Sequence, residues 1–175
     1  MFKVAILGAT GYTALELLKL LRRHPLVEVV AVTSRENTSP IAKVHPSLTG
    51  QYDICCENLA PKDLAQREVD TVFSCLPHTA TAAVAPDLLD LGMKVVDFGA
   101  DYRLNNAEVF NKWYNVVHPD PERLPLTPYG LPELFRDKIR DAKLVANPGC
   151  YPTSAILPLA PLLKDGYVDP SDIII

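Results

Sequence analysis

Long apolar runs are missing from this chain: none approaches the roughly 18 residues that a membrane span requires. A basic surface is missing as well. Lysine and arginine number 17 against 21 acidic residues, the two signs are intermixed, and the net charge is -4, so no stripe is built to hold a nucleic acid. Cysteine is sparse. Cys55, Cys56, Cys75 and Cys150 form no C-x-x-C pair and have no paired histidines beside them, so no metal site is expected. The first residues, Met1-Phe2-Lys3-Val4-Ala5-Ile6-Leu7-Gly8, reach Gly8 too soon for the apolar segment of a secretory signal. A disulfide framework is then not expected either, and the chain reads as cytoplasmic and reduced. Internal repeats and low-complexity tracts are absent. What is there, 48% hydrophobic and 22% charged residues over 175 positions, describes a globular protein with one core or slightly more.

Apolar runs at 2–7, 27–33, 69–76, 94–98 and 142–146 read as strands, the first two apolar enough for a buried parallel sheet. Between them, 12–24 and 79–91 carry helical periodicity, with Leu17 and Leu21, or Leu15, Leu18 and Leu21, on one face of the first. Pro25 ends the first helix and Gly92 stops the second. Residues 36–53 read as loop with room for a short helix, and 62–67 as one or two helical turns. The stretch 105–132 is irregular and rich in proline and asparagine, apart from a helix expected over 107–114; a second is expected over 132–140. A loop of that length inside a compact domain is usually functional. A last helix should begin near Cys150, where Pro158 and Pro161 are expected to kink or break it. This β-α-β alternation specifies an α/β fold, a doubly wound parallel sheet of Rossmann type. At the end, Asp169-Pro170-Ser171-Asp172 reads as a turn and Ile173-Ile174-Ile175 as the start of a strand. A bare apolar edge there would be exposed, so the chain is expected to be the N-terminal part of a longer protein.

Gly8-Ala9-Thr10-Gly11-Tyr12-Thr13-Ala14 follows the first strand and opens the first helix. Glycine lets backbone approach a pyrophosphate, and a helix N-terminus presents free N–H groups to it. The acidic residue that would bind a ribose 2′-hydroxyl at the end of the second strand is missing; Thr33-Ser34-Arg35 stands there instead. Ser34 can donate a hydrogen bond and Arg35 can pair with a 2′-phosphate, which points to NADP(H) rather than NAD, although Glu36 stands next door. Ser74-Cys75-Leu76-Pro77-His78 closes the third strand, where Leu76 and Pro77 are placed for backbone contact with the cofactor. His78 fits either a helix-cap neighbour or a cleft residue, and Cys75 fits the core.

Cys150 follows Asn147-Pro148-Gly149 and precedes Tyr151-Pro152-Thr153. Proline favours the first turn of a helix, so the thiol is expected at a helix N-terminus, where the thiolate is stabilised and nucleophilic. The alternative is an inert buried cysteine, the commoner fate of that residue.

Four segments in order, the Gly8-Ala9-Thr10-Gly11-Tyr12-Thr13 turn, Asp97-Phe98-Gly99-Ala100-Asp101-Tyr102-Arg103, Tyr129-Gly130-Leu131-Pro132-Glu133 and Asn147-Pro148-Gly149-Cys150-Tyr151-Pro152-Thr153, resemble N-acetyl-gamma-glutamyl-phosphate reductase. The resemblance implies NADPH-dependent reduction of N-acetyl-glutamyl 5-phosphate to N-acetyl-glutamate 5-semialdehyde and phosphate, in arginine biosynthesis. It implies Cys150 as the nucleophile that forms a thioester, Arg103 as the holder of the substrate phosphate, and Asn147 as an orienting group for cysteine or acyl carbonyl. Tyr129 and Glu133 are weaker candidates for the cleft wall. For Arg103 the competing role is structural pairing with Asp97 or Asp101. Enzymes of the family are about twice as long and the parent is expected to be a homo-oligomer. On that view residues 1–149 form the NADP-binding domain and 150–175 begin a catalytic and dimerisation domain.

The family's general acid/base, a histidine of the second domain, has no counterpart among His24, His45, His78 and His118. The chain alone is therefore expected to bind cofactor and to catalyse poorly. Competing readings are an aspartate-semialdehyde dehydrogenase, a cysteine hydrolase, against which the glycine turn speaks, and a non-catalytic NADP-binding module.

Overall fold

The computed structural model describes residues 1–174. Its first strand, β1 (Phe2–Leu7), shows how the layers arise. Side chains alternate across a strand, and here Val4 and Ile6 join one core cluster while Ala5 and Leu7 join another. A strand apolar on both faces needs cover on both.

Six parallel strands make the sheet: β1, β2 (Val27–Thr33), β3 (Cys56–Glu57), β4 (Thr71–Ser74), β5 (Lys94–Asp97) and β6 (Leu144–Ala146), in the order β3-β2-β1-β4-β5-β6. Helix α1 (Tyr12–Leu21) buries Ala14, Leu17, Leu18 and Leu21 against the Val4/Ile6 face, together with Ile41 and Leu48 from the next connection. On the other face lie α3 (Pro61–Gln66) and α4 (Ala80–Asp90), with Leu64, Ala82, Ala85 and Leu88 in the Ala5/Leu7 cluster. The short α2 (Ile41–Val44) lies between α1 and α3 in sequence. This is the doubly wound α/β architecture expected from the alternation. The strand order reverses direction between β1 and β4, so the loops leaving their carboxyl ends open a crevice.

Beyond β5 the chain forms α5 (Ala107–Tyr114), α6 (Pro132–Arg140) and, after β6, α7 (Cys150–Lys164). The irregular segment around α5 is packed from within: Phe110 is fully buried and stacks on Tyr114 at 4.6 Å.

Several boundaries differ from the sequence reading. Helix α1 ends at Leu21 because the N–H groups of Arg23 and His24 bond three residues back, to Leu20 and Leu21, ahead of Pro25. Strand β3 has two residues and carries no local signal; it forms by pairing with Val32 and Thr33. Helix α7 runs unbroken through Pro158 and Pro161, contrary to expectation. Both prolines are exposed, and the carbonyls they leave without donors, those of Ser154 and Leu157, lie on residues that water reaches. At the end, Pro170–Asp172 is a turn of 3-10 helix, and Ile173 and Ile174 lie in no strand. Ile175, the third residue of the expected strand, lies outside the described residues.

Candidate active site

Two strand-to-helix turns and the segments packed against them bring the candidate residues together. The first leaves β1. Gly8 has φ +73, and a Cβ built there would stand 2.6 Å from the carbonyl oxygen of Cys75, at the exit of β4. The exits of β1 and β4 thus approach more closely than any side chain allows. Ala9, fully buried, donates its N–H to Thr33 at the end of β2. Gly11 caps α1 in an extended conformation, with no side-chain cap and no acidic residue in the first turn. The positive end of that helix is left open to an anion.

A cleft of about 360 Å³ collects Gly8, Thr10, Ser34, Arg35, Leu76 and Pro77 in one wall. Ala9 and Gly11 shape the turn beneath it, and Tyr12 and Thr13 stand exposed on the first turn of α1. Arg35 lines the cleft and its neighbour Glu36 does not. Ser34 donates its N–H to Glu57, and its hydroxyl accepts from the N–H of Asn37, so the arginine-bearing loop is tied to β3. Asn58 and Leu59 also line this cleft, and no sequence pattern marks them because β3 has no signature of its own. Cys75 is partly buried against the core, and that burial, with the charge of Asp97, pushes its thiol up to about 12.

The second turn leaves β6. Its cysteine, Cys150, is the first residue of α7 and is exposed, so it is not the buried alternative. Gly149 caps this helix as Gly11 caps α1, extended and with no side-chain cap. A Cβ on Gly149 would stand 3.0 Å from Nη1 of Arg103. The guanidinium lies against the turn that carries the thiol, held by Nε donating to Asn147 O at 2.9 Å and Nη2 donating to Phe98 O at 2.8 Å.

Arg103 is held by these two backbone carbonyls and forms no ion pair with either neighbouring aspartate. Asp101 instead accepts from the N–H groups of Thr79 and Ala82, capping α4 from 19 residues away in sequence for the latter bond. Asp97 accepts from the Thr81 hydroxyl and from Gly99 N–H through Oδ1. Burial raises its carboxyl above the usual range against those two bonds, and Oδ2 has no partner among the described residues. Tyr102 donates its hydroxyl to Asp120 at 2.7 Å. Asp97, Asp101 and Tyr102 are buried, whereas Arg103 is half-buried and lines the larger cleft beside this turn.

Asn147 donates its N–H to Asp97 O, while its side-chain amide folds onto Pro148 O at 3.1 Å. It shapes the turn itself. Tyr129 arrives alongside because Gly130 bonds Ala146 through its N–H and passes where a Cβ would stand 2.8 Å from Val145 Cγ1. Burial raises the Tyr129 phenol and the nearby Arg103 charge opposes that shift. Tyr129 and Arg103 share a cleft of about 780 Å³ with Lys138; Cys150 is not in its wall. Glu133 is exposed on α6 and belongs to neither cleft.

Among the histidines, His118 is buried: its Nδ1 accepts from Asp120 N–H and its Nε2 faces Asp101 O at 2.8 Å. That pairing specifies the neutral ring with the proton on Nε2. His45 is buried with Nε2 on Ala9 O. His24 precedes β2, at the amino edge of the sheet, and its Nδ1 accepts from Leu26 N–H. His78 alone of the four is exposed near the crevice, its ring 5.6 Å from Tyr114.

Among the described residues no helix is long and apolar enough to cross a membrane. Residues 3–142 match the family model described as semialdehyde dehydrogenase, NAD binding domain. Over its whole length the chain is 52% identical to N-acetyl-gamma-glutamyl-phosphate reductase of Moorella thermoacetica, of which it covers 51%. It is 48% identical to the protein of the same name from Rhodopirellula baltica, over 99% of this chain and 50% of that one. The chain thus spans about half the length of these relatives. Among solved structures, aspartate semialdehyde dehydrogenase with NADP from Candida albicans superposes with a TM-score of 0.66 at 20% identity, over 94% of this chain and 47% of that one, and shares the fold. The glycine turn at the reversal of strand order and the match over residues 3–142 place this chain in the family of the semialdehyde dehydrogenase NAD-binding domain.

Proposed function

We propose that this chain is the cofactor-binding and nucleophile-bearing part of an NADPH-dependent reductase that converts N-acetyl-glutamyl 5-phosphate to N-acetyl-glutamate 5-semialdehyde and phosphate. One observation carries the reading: an exposed Cys150 begins a helix on a turn against which the Arg103 guanidinium is packed. The relatives at 52% and 48% identity bear the name of that reductase.

The first cleft fits a dinucleotide. A diphosphate needs close backbone approach and unpaired N–H groups, which Gly8, Thr10 and the uncapped start of α1 offer. Arg35 and Ser34 stand where a 2′-phosphate would be read, which supports NADP over NAD. When bound, the reduced nicotinamide supplies the hydride that turns the acyl group into an aldehyde.

The Cys150 thiolate attacks the acyl carbon, and the tetrahedral adduct collapses with loss of phosphate to leave a thioester. Arg103 keeps three N–H donors beyond the two bound to carbonyls, enough to hold a phosphate while its charge develops. Tyr129 forms the wall beside it. After reduction the hemithioacetal expels thiolate and frees the aldehyde. Residues 150–175 belong, on this reading, to the start of a second domain; none of the residues of α7 is buried within this chain.

A full-length enzyme should reduce N-acetyl-glutamyl phosphate with NADPH and leave aspartyl phosphate untouched; a preference for aspartyl phosphate would overturn the substrate assignment. The chain by itself should bind NADP and turn over negligibly, because His45 and His118 have their Nε2 atoms engaged and His24 is at the far edge. Normal turnover by the chain alone would instead make His78 the base.

A further inference from the structure

The connection between β2 and β3 carries a buried histidine that the reaction does not use. His45 is 8% exposed, and its Nε2 lies 2.8 Å from the carbonyl oxygen of Ala9, in the middle of the glycine turn. A carbonyl only accepts, so the ring proton is on Nε2. The main chain of His45 is held on both sides: its N–H donates to Ile41 O, and Leu48 N–H donates to His45 O. Ile41 and Leu48 are both fully buried in the core against α1.

Ala9 is therefore fixed through both of its peptide groups, its N–H by Thr33 O at 2.9 Å and its carbonyl by His45. The second bond has a consequence one atom further on. In a planar trans peptide, C=O and N–H point in opposite directions. Turning the Ala9 carbonyl toward His45 turns the Thr10 N–H away from it. Thr10 lines the crevice, and its N–H has no acceptor among the described residues.

We propose that His45 is a positioning residue of the dinucleotide site: its Nε2–H holds the Ala9 carbonyl so that the Thr10 N–H faces the crevice and the diphosphate of the bound cofactor. This rests on the reading of that crevice as a dinucleotide site. Glutamine can place an amide N–H close to where Nε2–H stands, and leucine cannot.

Calorimetry on this chain tests it with NADP and with adenosine 2′-monophosphate, which lacks the diphosphate. His45→Leu should weaken NADP about 10-fold, the scale of one lost hydrogen bond with its buried acceptor orphaned. His45→Gln should recover to within about 3-fold of wild type on the same scale. Neither should change the affinity for adenosine 2′-monophosphate. Unchanged NADP affinity in His45→Leu, or equal losses for the two ligands, would overturn the proposal. Should the leucine variant lose its fold, nitrogen-15 spectra of the wild-type chain decide. An Nε2–H ring tautomer and a Thr10 amide that shifts on NADP addition support it; an Nδ1–H tautomer or a stationary Thr10 amide overturns it. Failure of the wild-type chain to bind NADP or NAD would remove the dinucleotide reading and the His45 proposal together, whereas tight wild-type binding with an indifferent His45→Leu removes only the latter.

Discussion

The turns before α1 and α7 are built on one local plan and put to different use. Each leaves a parallel strand, each has an extended glycine as N-cap, and neither helix has a side-chain cap or an acid in its first turn. Both helix ends keep the partial positive charge that an anion or a thiolate would use. Around them the two differ. Helix α1 buries four residues, and its turn is held by Thr33, by His45 and by the close approach of Cys75. Helix α7 buries none, and its turn rests on Arg103 and the end of β5. The first turn has its walls within this chain. The second presents an exposed thiol beside an arginine on a helix that buries nothing within this chain.

Substitutions can break that contrast. The largest effect should come from Cys150→Ser in a full-length enzyme: at least about 10³-fold lower turnover with no change in cofactor affinity, read by steady-state kinetics and calorimetry. Wild-type turnover in that variant would remove the second turn from the chemistry. Next, Gly8→Ala should weaken NADP binding roughly 30-fold or more and destabilise the chain by about 1–3 kcal/mol, because both the positive φ and the Cys75 carbonyl oppose a Cβ. Gly149→Ala is the matched control. Its φ of -73 suits alanine, so the guanidinium must move and the Pro152 ring, 3.3 Å away, must give slightly, with no backbone strain; melting should shift by no more than the equivalent of about 1 kcal/mol while kcat/KM for the acyl phosphate falls. Equal melting shifts for the two glycines would erase the distinction.

Smaller effects sharpen it. Arg35→Ala should lower NADP affinity about 10-fold and leave NAD affinity nearly unchanged, measured by calorimetry on this chain. The smallest concerns pH. Cys75 has its thiol raised from 9.0 to about 12 by burial and by Asp97. Below about pH 9 it is neutral folded or unfolded and adds no pH dependence. Between 9 and 12 the unfolded chain ionises first, so stability falls as pH rises through that window. Cys75→Ala should flatten that part of the stability curve, and iodoacetamide at pH 8 should label Cys150 while sparing Cys75; early labelling of Cys75 would contradict its raised thiol pKa.

Much of the fold was legible because its signals are local. Strands β1 and β2 are continuous apolar runs, α5 begins at an asparagine whose side chain accepts from Val109 N–H, and Gly92, with φ +87, stops α4. Strand β3 was not legible, since two residues become a strand only by pairing with β2. The unbroken course of α7 through two prolines was not legible either, because the cost of proline depends on whether the freed carbonyls meet water. At the candidate site, Gly8, Thr10, Ser34, Arg35, Leu76 and Pro77 were found by position along the chain and share one cleft. Asn58, Leu59 and His45 had no spacing to give them away.

The sequence by itself determined the alternation of elements, the two glycine turns and the residue types that could bear chemistry. Those follow from side-chain periodicity, from the backbone freedom of glycine and from the functional groups themselves. Only the tertiary structure decided the strand order, the engagement of Asp101 at the start of α4, the packing of Arg103 against Gly149 and the bond from His45 to Ala9. These join residues far apart in the chain, and such pairs are set by how two helical layers close over one sheet, which no local pattern encodes.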